Sequence, residues 1–366
     1  MIHSIISVLK KCWINPIWNI CCAIRNKGGI VACWNLVFRR YREGLSIKTI
    51  LRESWKSRIG TGYFEWQERF EKLTPQDMSA IRKQIQGLQS PPLISILMPV
   101  YNPDPHLLRQ ALDSVQNQIY PYWELCIADD ASPNAQIQTI LEDYCRADSR
   151  IHVIFRKENG HICAASNSAL GLCTGTYTAL MDHDDILPEV ALYFVAMEIT
   201  QHPDAMLIYS DEDLLSPQDK RYNPHFKPDW NEPLFLASNY LNHLSIYRTS
   251  LLREIGGFRL GYEGSQDHDL TLRCVLKIRP SQIRHIPRIL YHWRQFPGSG
   301  SFSDRALEQC KKARRQAVAD YLETKKCNAT VTSGCFGFNK INYTLKKLPL
   351  VTCVIPARNH AELTQI

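Results

Sequence analysis

Residues 93–102, LISILMPVYN, form a short apolar run, broken by Ser95, that ends in a proline and a turn. A run this short, rich in isoleucine and bounded by turn signals, reads as a strand buried on both faces. The same kind of run recurs downstream, so that residues 94–98, 124–128, 152–155, 177–181 and 205–209 read as strands. Between the first two, Leu107, Leu108, Ala111, Leu112 and Val115 fall at helical spacing, with Pro105 suited to a first turn. Further crossovers are expected over 135–145 and 163–172, the latter closed by a turn at Gly175. Strands that alternate with helices in this way predict an α/β fold with a mostly parallel sheet. In such a sheet, ligands bind beyond the carboxyl ends of the strands.

Three of the expected strands run into acid clusters: Asp129 and Asp130; Asp182, Asp184 and Asp185; Asp211, Glu212 and Asp213. Eight carboxylates along one rim repel each other, so the pattern calls for a divalent cation or cationic partners to neutralise them.

Four motifs follow in order: Pro99-Val-Tyr-Asn102, Ala128-Asp-Asp-Ala-Ser132, Met181-Asp-His-Asp-Asp185 and Gln266-Asp-His-Asp-Leu270. Together they resemble the family 2 inverting glycosyltransferases of the GT-A fold, of bacterial polysaccharide or rhamnan type, over about residues 93–303. One D-x-D triplet would carry little, because surface turns use such residues freely. The ordered set is far more specific.

The resemblance implies a nucleotide-sugar donor, a glycan or lipid-linked glycan acceptor, and Mg²⁺ or Mn²⁺ as cofactor. It implies that Pro99, Tyr101, Asn102, Asp130, Asp182, Asn167 and Arg294 bind the donor, with Asp130 on the base. Asp184, with Asp185 and His292, would hold the metal, which binds through one or two carboxylates plus phosphate oxygens. Asp267 would be the general base that takes the acceptor hydroxyl proton during single-displacement inversion; its alternative is to cap the following helix. Asp229, Trp230, Asn239 and Asp269 would build the acceptor side, with Asp269 alternatively serving as a supporting carboxylate. In the element Leu290-Tyr-His-Trp-Arg294 with Pro297-Gly-Ser299, expected over the diphosphate, His292 reads equally as a structural residue. Ser166 stands where the family often has an arginine, which puts one donor contact in doubt.

Composition narrows the partners. The 366 residues carry a formal charge of +7, yet residues 1–60 alone hold eleven Lys and Arg against Glu43 and Glu53. Everything after them is slightly acidic, so a nucleic-acid footprint on the main domain is not expected. The same segment holds Trp13, Trp18, Trp34 and Trp55, four of the eight tryptophans. Two readings fit: an interfacial segment on a membrane, or a helical extension packed on the core. Its longest uncharged apolar stretch, 12–24, is too short to span a bilayer. Thirteen cysteines, odd in number and without a C-x-x-C pair, read as reduced cytosolic thiols. The expected location is cytoplasmic, with peripheral attachment to the inner membrane as one option.

Residues 92–102 recur in outline as 349–359, PLVTCVIPARN. A repeat at that separation suggests a second domain copy that this sequence enters, with Arg358 where the first has Tyr101. The expected division is a basic, Trp-rich helical extension (1–90), a GT-A domain (91–305), a helical or linker segment (306–347) and the start of a second GT-A domain (348–366). A polar linker is expected over 83–92. Two rivals remain: a nucleotidyltransferase, which would need a Gly-rich basic loop that 99–105 lacks, and a non-catalytic membrane-associated scaffold binding a nucleotide or cation.

Overall fold

The computed structural model describes residues 62–295, 304–345 and 347–354. The chain divides into two units, Met1–Thr74 and Pro75–Ile366. In the first, the described residues include a helix over 62–70. The basic segment 1–60, Pro297–Ser299 and the end of the repeat beyond 354 lie outside the described residues. Everything below concerns the second unit.

The run 93–102 is the central strand β1 (Ile94–Val100), hydrogen-bonded on one side to β2 (Trp123–Asp129) and on the other to β4 (Tyr177–Leu180), both parallel. Neighbours on both edges and helices on both faces explain why an alternating polar pattern is absent. Strand β3 (Ile151–Phe155) extends the sheet beyond β2. The crossovers are α2 (Pro105–Gln116), α3 (Ala135–Ala147) and α4 (His161–Leu172), and α2 buries Leu108, Ala111, Leu112 and Val115, as its spacing predicts. Asp104 caps α2 by accepting from the His106 and Leu107 amides, while Pro105 occupies a position where no amide is needed.

At the opposite end of these strands the buried Glu124 carboxylate accepts from Ser95 Oγ, Thr174 N and Oγ, and Gly175 N. A side chain at Gly175 would meet the Leu93 and Ser95 backbone at about 2.7–2.8 Å, so only glycine lets the turn close on β1. The linkage fixes β1, β2 and β4 in register, which levels their carboxyl ends.

Past β4 the sheet becomes mixed. After α5 (Ala191–Gln201), β5 (Leu207–Leu215) is antiparallel to β6 (Arg221–His225) and to β7 (Ser245–Arg248), and β7 is antiparallel to β4. Strand β8 (Ile283–Arg294) pairs with β5 in parallel. The sheet order is β3-β2-β1-β4-β7-β5-β6, with β8 on β5. The short helices α6 (Glu232–Ala237) and α7 (Thr249–Glu254) flank β7, and α8 (Gln266–Val275) precedes β8.

Two expectations need correction. Residues 83–86 are not linker: they finish helix α1 (Pro75–Gln86), which buries Ile81 and Ile85. The segment 306–347 is more than helix and linker, because α9 (Asp304–Thr324) leads into an antiparallel hairpin, β9 (Ala329–Ser333) and β10 (Asn339–Tyr343). Residues 349–354, which echo β1, form no strand, and Leu350 and Val351 are exposed. A strand of that kind needs partners on both edges, and no described residues pair with it.

Candidate active site

The level ends of β1, β2 and β4 deliver three turns to one edge of the sheet. Asn102, at positive φ, donates its amide to Ser132 Oγ, which in turn donates to Asp129. The turn after β1 is thereby joined to the turn after β2, and Tyr101 is left half exposed between them. His183 bonds the Pro99 carbonyl through Nδ1 at 3.1 Å, which adds the acid loop after β4 to the same frame.

Asp130 is almost fully buried and held by the Arg156 guanidinium at 2.6 Å and by the Gly160 amide. Arg156 also reaches the Ala164 carbonyl and Ser168 of α4. It is a site residue that the motifs did not single out, and its guanidinium lies beside α4, where Ser166 replaces the usual arginine.

The antiparallel insertion of β7 brings the next residues in. Because Ala179 of β4 opposes Ile246 of β7, and Tyr209 of β5 opposes Ser245, the residues just before β7 meet both the acid loop and the middle of β5. His243 therefore lies with its Nε2 3.9 Å from Asp182 and its Nδ1 3.1 Å from Glu212. Its ring stacks on Tyr291 of β8, with centroids 4.7 Å apart. Leu180, Met181, Asp182, Asn242, His243 and Asp267 share one cleft. Asp267 enters it from the first turn of α8, where burial, followed by the nearby Asp182 charge, pushes its carboxyl up to about 6. His243 and Asn242 act in the opposite sense on it. A carboxyl poised near neutrality in a cleft is what general-base chemistry requires.

Asp182 and Asp184 differ from Asp185. No side chain among the described residues hydrogen-bonds the Asp182 or Asp184 carboxylates, whereas Asp185 accepts from Tyr291 Oη and the Arg294 amide at 2.6 and 2.7 Å. Burial, and then the neighbouring acids, raise Asp185 well above the usual carboxylate range, and Asp184 is raised for similar reasons. Among the described residues no group of three or more His, Cys, Asp or Glu is arranged to hold a metal. The expected trio of Asp184, Asp185 and His292 is therefore not a ready-made cage. His292 bonds Asp213 at 2.6 Å through Nδ1, and Asp185 is committed to the fold.

Other expected site residues are engaged within the fold. Arg294, with its side chain buried, spreads its guanidinium over the Asp184 carbonyl, Asp219 and Gln110, so it braces the acid loop. Asn167 bonds both the amide and the carbonyl of Phe258; a Cβ at Gly257 would collide with its Oδ1, so the amide is a clamp built into the turn. Asp269, buried, is paired with Arg259 and Arg273 and has no surface for an acceptor. The cluster at 211–213 lies within β5, not at its end, and is contacted by His285, His225, His243, Lys227 and Arg221. Of the remaining acceptor candidates, Asp229 is exposed and bonds His285, Trp230 leans on Phe235, and Asn239 Oδ1 is buried with no hydrogen-bond partner among the described residues.

Residues 95–256 match the family described as Glycosyl transferase family 2. An uncharacterized protein of Sinorhizobium fredii, y4gI, is 39% identical over 88% of this chain and 36% of its own length. The O-antigen biosynthesis protein RfbC of Myxococcus xanthus is 32% identical over 79% of this chain and 22% of its own. The chain thus spans about a third or less of these relatives. Residues 1–349 of S. aureus TarS superpose with a TM-score of 0.50 at 21% identity, covering 63% of this chain and 65% of that one, which shows a shared fold.

Proposed function

We propose that this chain, whose residues 95–256 match glycosyltransferase family 2, moves a sugar from a nucleotide diphosphate donor to a hydroxyl of a growing surface glycan, with inversion. The observation that carries this reading is the convergence of Asp182 and Asp267 on one cleft beside the joined turns of β1 and β2. TarS has been crystallised with UDP-GlcNAc, and a nucleotide of that class would lie here against the turns after β1 and β2 that carry Tyr101 and Asp130. Tyr101 offers a half-exposed ring to a base, and Pro99 and Asn102 shape the turn that carries it.

Asp184 suits a divalent cation. Its carboxylate receives no side-chain hydrogen bond among the described residues, and its ionisation is disfavoured by burial and by Asp182. A hard cation corrects both, and it needs only one or two protein carboxylates if diphosphate oxygens complete its shell. When bound, Mg²⁺ or Mn²⁺ would neutralise charge growing on the departing nucleoside diphosphate. Asp267 then accepts the acceptor hydroxyl proton, Asp182 faces the donor, and Trp230 and Asn239 border the acceptor. The N-terminal segment 1–60 would bind the cytoplasmic membrane face through its basic residues and tryptophans; liposome flotation that is unchanged after its deletion would refute that attachment.

The primary test is release of nucleotide from UDP-, GDP- and dTDP-sugars with and without Mn²⁺. A scaffold releases none under any condition. Asp184→Ala is expected to weaken donor binding in Mn²⁺ by at least the roughly 10- to 100-fold that even an outer partner of a metal is worth, measured by calorimetric titration. With Asp267 near 6, turnover should fall about tenfold per pH unit below that value and level off above it. A profile flat down to pH 4.5 would contradict the assignment.

A further inference from the structure

The cleft has a cationic wall that the sequence motifs do not contain. Glu212, buried in the middle of β5, accepts from the His243 backbone amide and from His243 Nδ1. Lys227, whose side chain has no exposed surface, donates from Nζ to the Leu241 and His243 carbonyls and lies 3.9 Å from the same Glu212 carboxylate. The three-residue stretch 241–243 is therefore held by its carbonyls, by an amide and by its imidazole. These ties leave one edge of the imidazole, Nε2, directed to the acid side.

We propose that His243 is a positioning residue for the transfer, an imidazolium fixed by Glu212 and the Lys227-braced loop that serves as the standing counter-ion of Asp267 across the cleft. This rests on the reading of Asp267 as base. With the Asp182 charge at the same cleft, ionised Asp267 is costly unless a cation is held beside it where it cannot leave with the product. A metal at Asp184 serves the diphosphate side; His243 serves the side where the proton is taken. Glu212 secures the charge of the ring. Burial alone would discharge the imidazole, but Glu212 first, then Asp182 and Asp185, raise it to about 9. Stacking on Tyr291, with Trp293 beside it, fixes the ring plane. The other ionisable neighbours of Asp267, Cys163 and Tyr247, are held neutral by burial, so His243 is the cation set against it among the described residues.

The test uses the full chain and nucleotide release from the best donor among UDP-, GDP- and dTDP-sugars, profiled from pH 5 to 9. His243→Phe keeps a ring on Tyr291 and removes the charge. The expected result is an acid limb displaced upward by a pH unit or more, a loss of tenfold or more at pH 6 that shrinks as pH rises, and little change in donor KM. Glu212→Gln, which leaves the imidazole in place but lets it discharge, should move the limb in the same direction by less, and it stands in if the phenylalanine variant does not fold. A loss equal at every pH, which a merely structural role would give, overturns the inference. So does a raised donor KM with the limb unmoved, which would make His243 a phosphate contact. A wild-type chain that releases no nucleotide from any donor defeats the function and this inference together; a wild-type limb near pH 6 that both variants leave in place defeats only the latter.

Discussion

Asp267→Asn is expected to lower kcat for transfer by roughly 10²–10⁴-fold, the span of general-base contributions, while the donor still binds in the presence of Mn²⁺. The amide keeps the shape of the carboxyl and can still meet Gln266 and Asn242, but it cannot accept a proton from the acceptor hydroxyl. Stability should move the other way. The Asp267 carboxyl titrates higher in the folded chain than in an unfolded one, so ionising it opposes folding. The neutral form's advantage is complete at low pH and lost as pH rises through about 6. At pH 7.5 the asparagine variant, which carries no charge to desolvate, should melt no lower than the wild type. A silent variant with an unchanged or raised Tm would identify a residue kept for chemistry at the expense of the fold. Retained turnover would remove Asp267 from the base role, and a lowered Tm would contradict its burial as a strained carboxylate.

The parts of this site legible in sequence are those set by local chemistry. An apolar run that ends at Pro99 and Asn102 can only be a buried strand entering a turn, and the capping pair Asp104 and Pro105 announces the helix that follows. The acid clusters after β2 and β4 were visible for the same reason, since a strand that stops at paired aspartates has reached the solvent edge of its sheet. The cluster at 211–213 misled because β5 does not stop there: its second half gains β6 as a partner while β8 runs beside its whole length, and side chains from those strands and from the loop before β7 bond the acids. Nothing local marks that continuation. His243 was missed because its neighbours in sequence are unremarkable; its position follows from β7 running antiparallel between β4 and β5, a long-range pairing that no short motif encodes. Arg294 and Asn167 were assigned to the donor because residue type and motif position suggested it. Their hydrogen bonds, to Asp184 O, Asp219 and Gln110 in one case and to Phe258 in the other, are made with residues up to 184 positions away. Tyr291 escaped notice for a similar reason, although it joins Asp185 to the His243 ring and so couples the acid loop to the cationic wall.

Asp269→Ala should cost the fold about 3–5 kcal/mol, the usual penalty for removing one partner of a buried ion pair. Asp269 is two residues on from Asp267 and faces away from the cleft, with its carboxylate shared between Arg259 from the turn before α8 and Arg273 one turn further along the helix. Arg273 also donates to the Ile255 and Gly257 carbonyls, and Arg259 to Asp320 of α9. The carboxylate is therefore the shared anion that joins α8 to the turn after α7, where Asn167 clamps Phe258, and through Arg259 to α9. Its removal leaves two guanidinium groups converging on an apolar methyl. Arg273, the more buried of the two, loses its only anionic partner shown in the structure, while Arg259 keeps Asp320. Asp269→Asn, which can still accept hydrogen bonds without the charge, should fall between the alanine variant and the wild type. Urea denaturation followed by tryptophan fluorescence reads the difference. The site predicts a further asymmetry: because Asp269 anchors the helix that carries Asp267, the alanine variant should lose turnover per folded molecule, whereas donor binding per folded molecule stays intact. A variant as stable as the wild type would mean that the two arginines are satisfied without it, and the view of α8 as a helix pinned from behind to present its base would have to be abandoned.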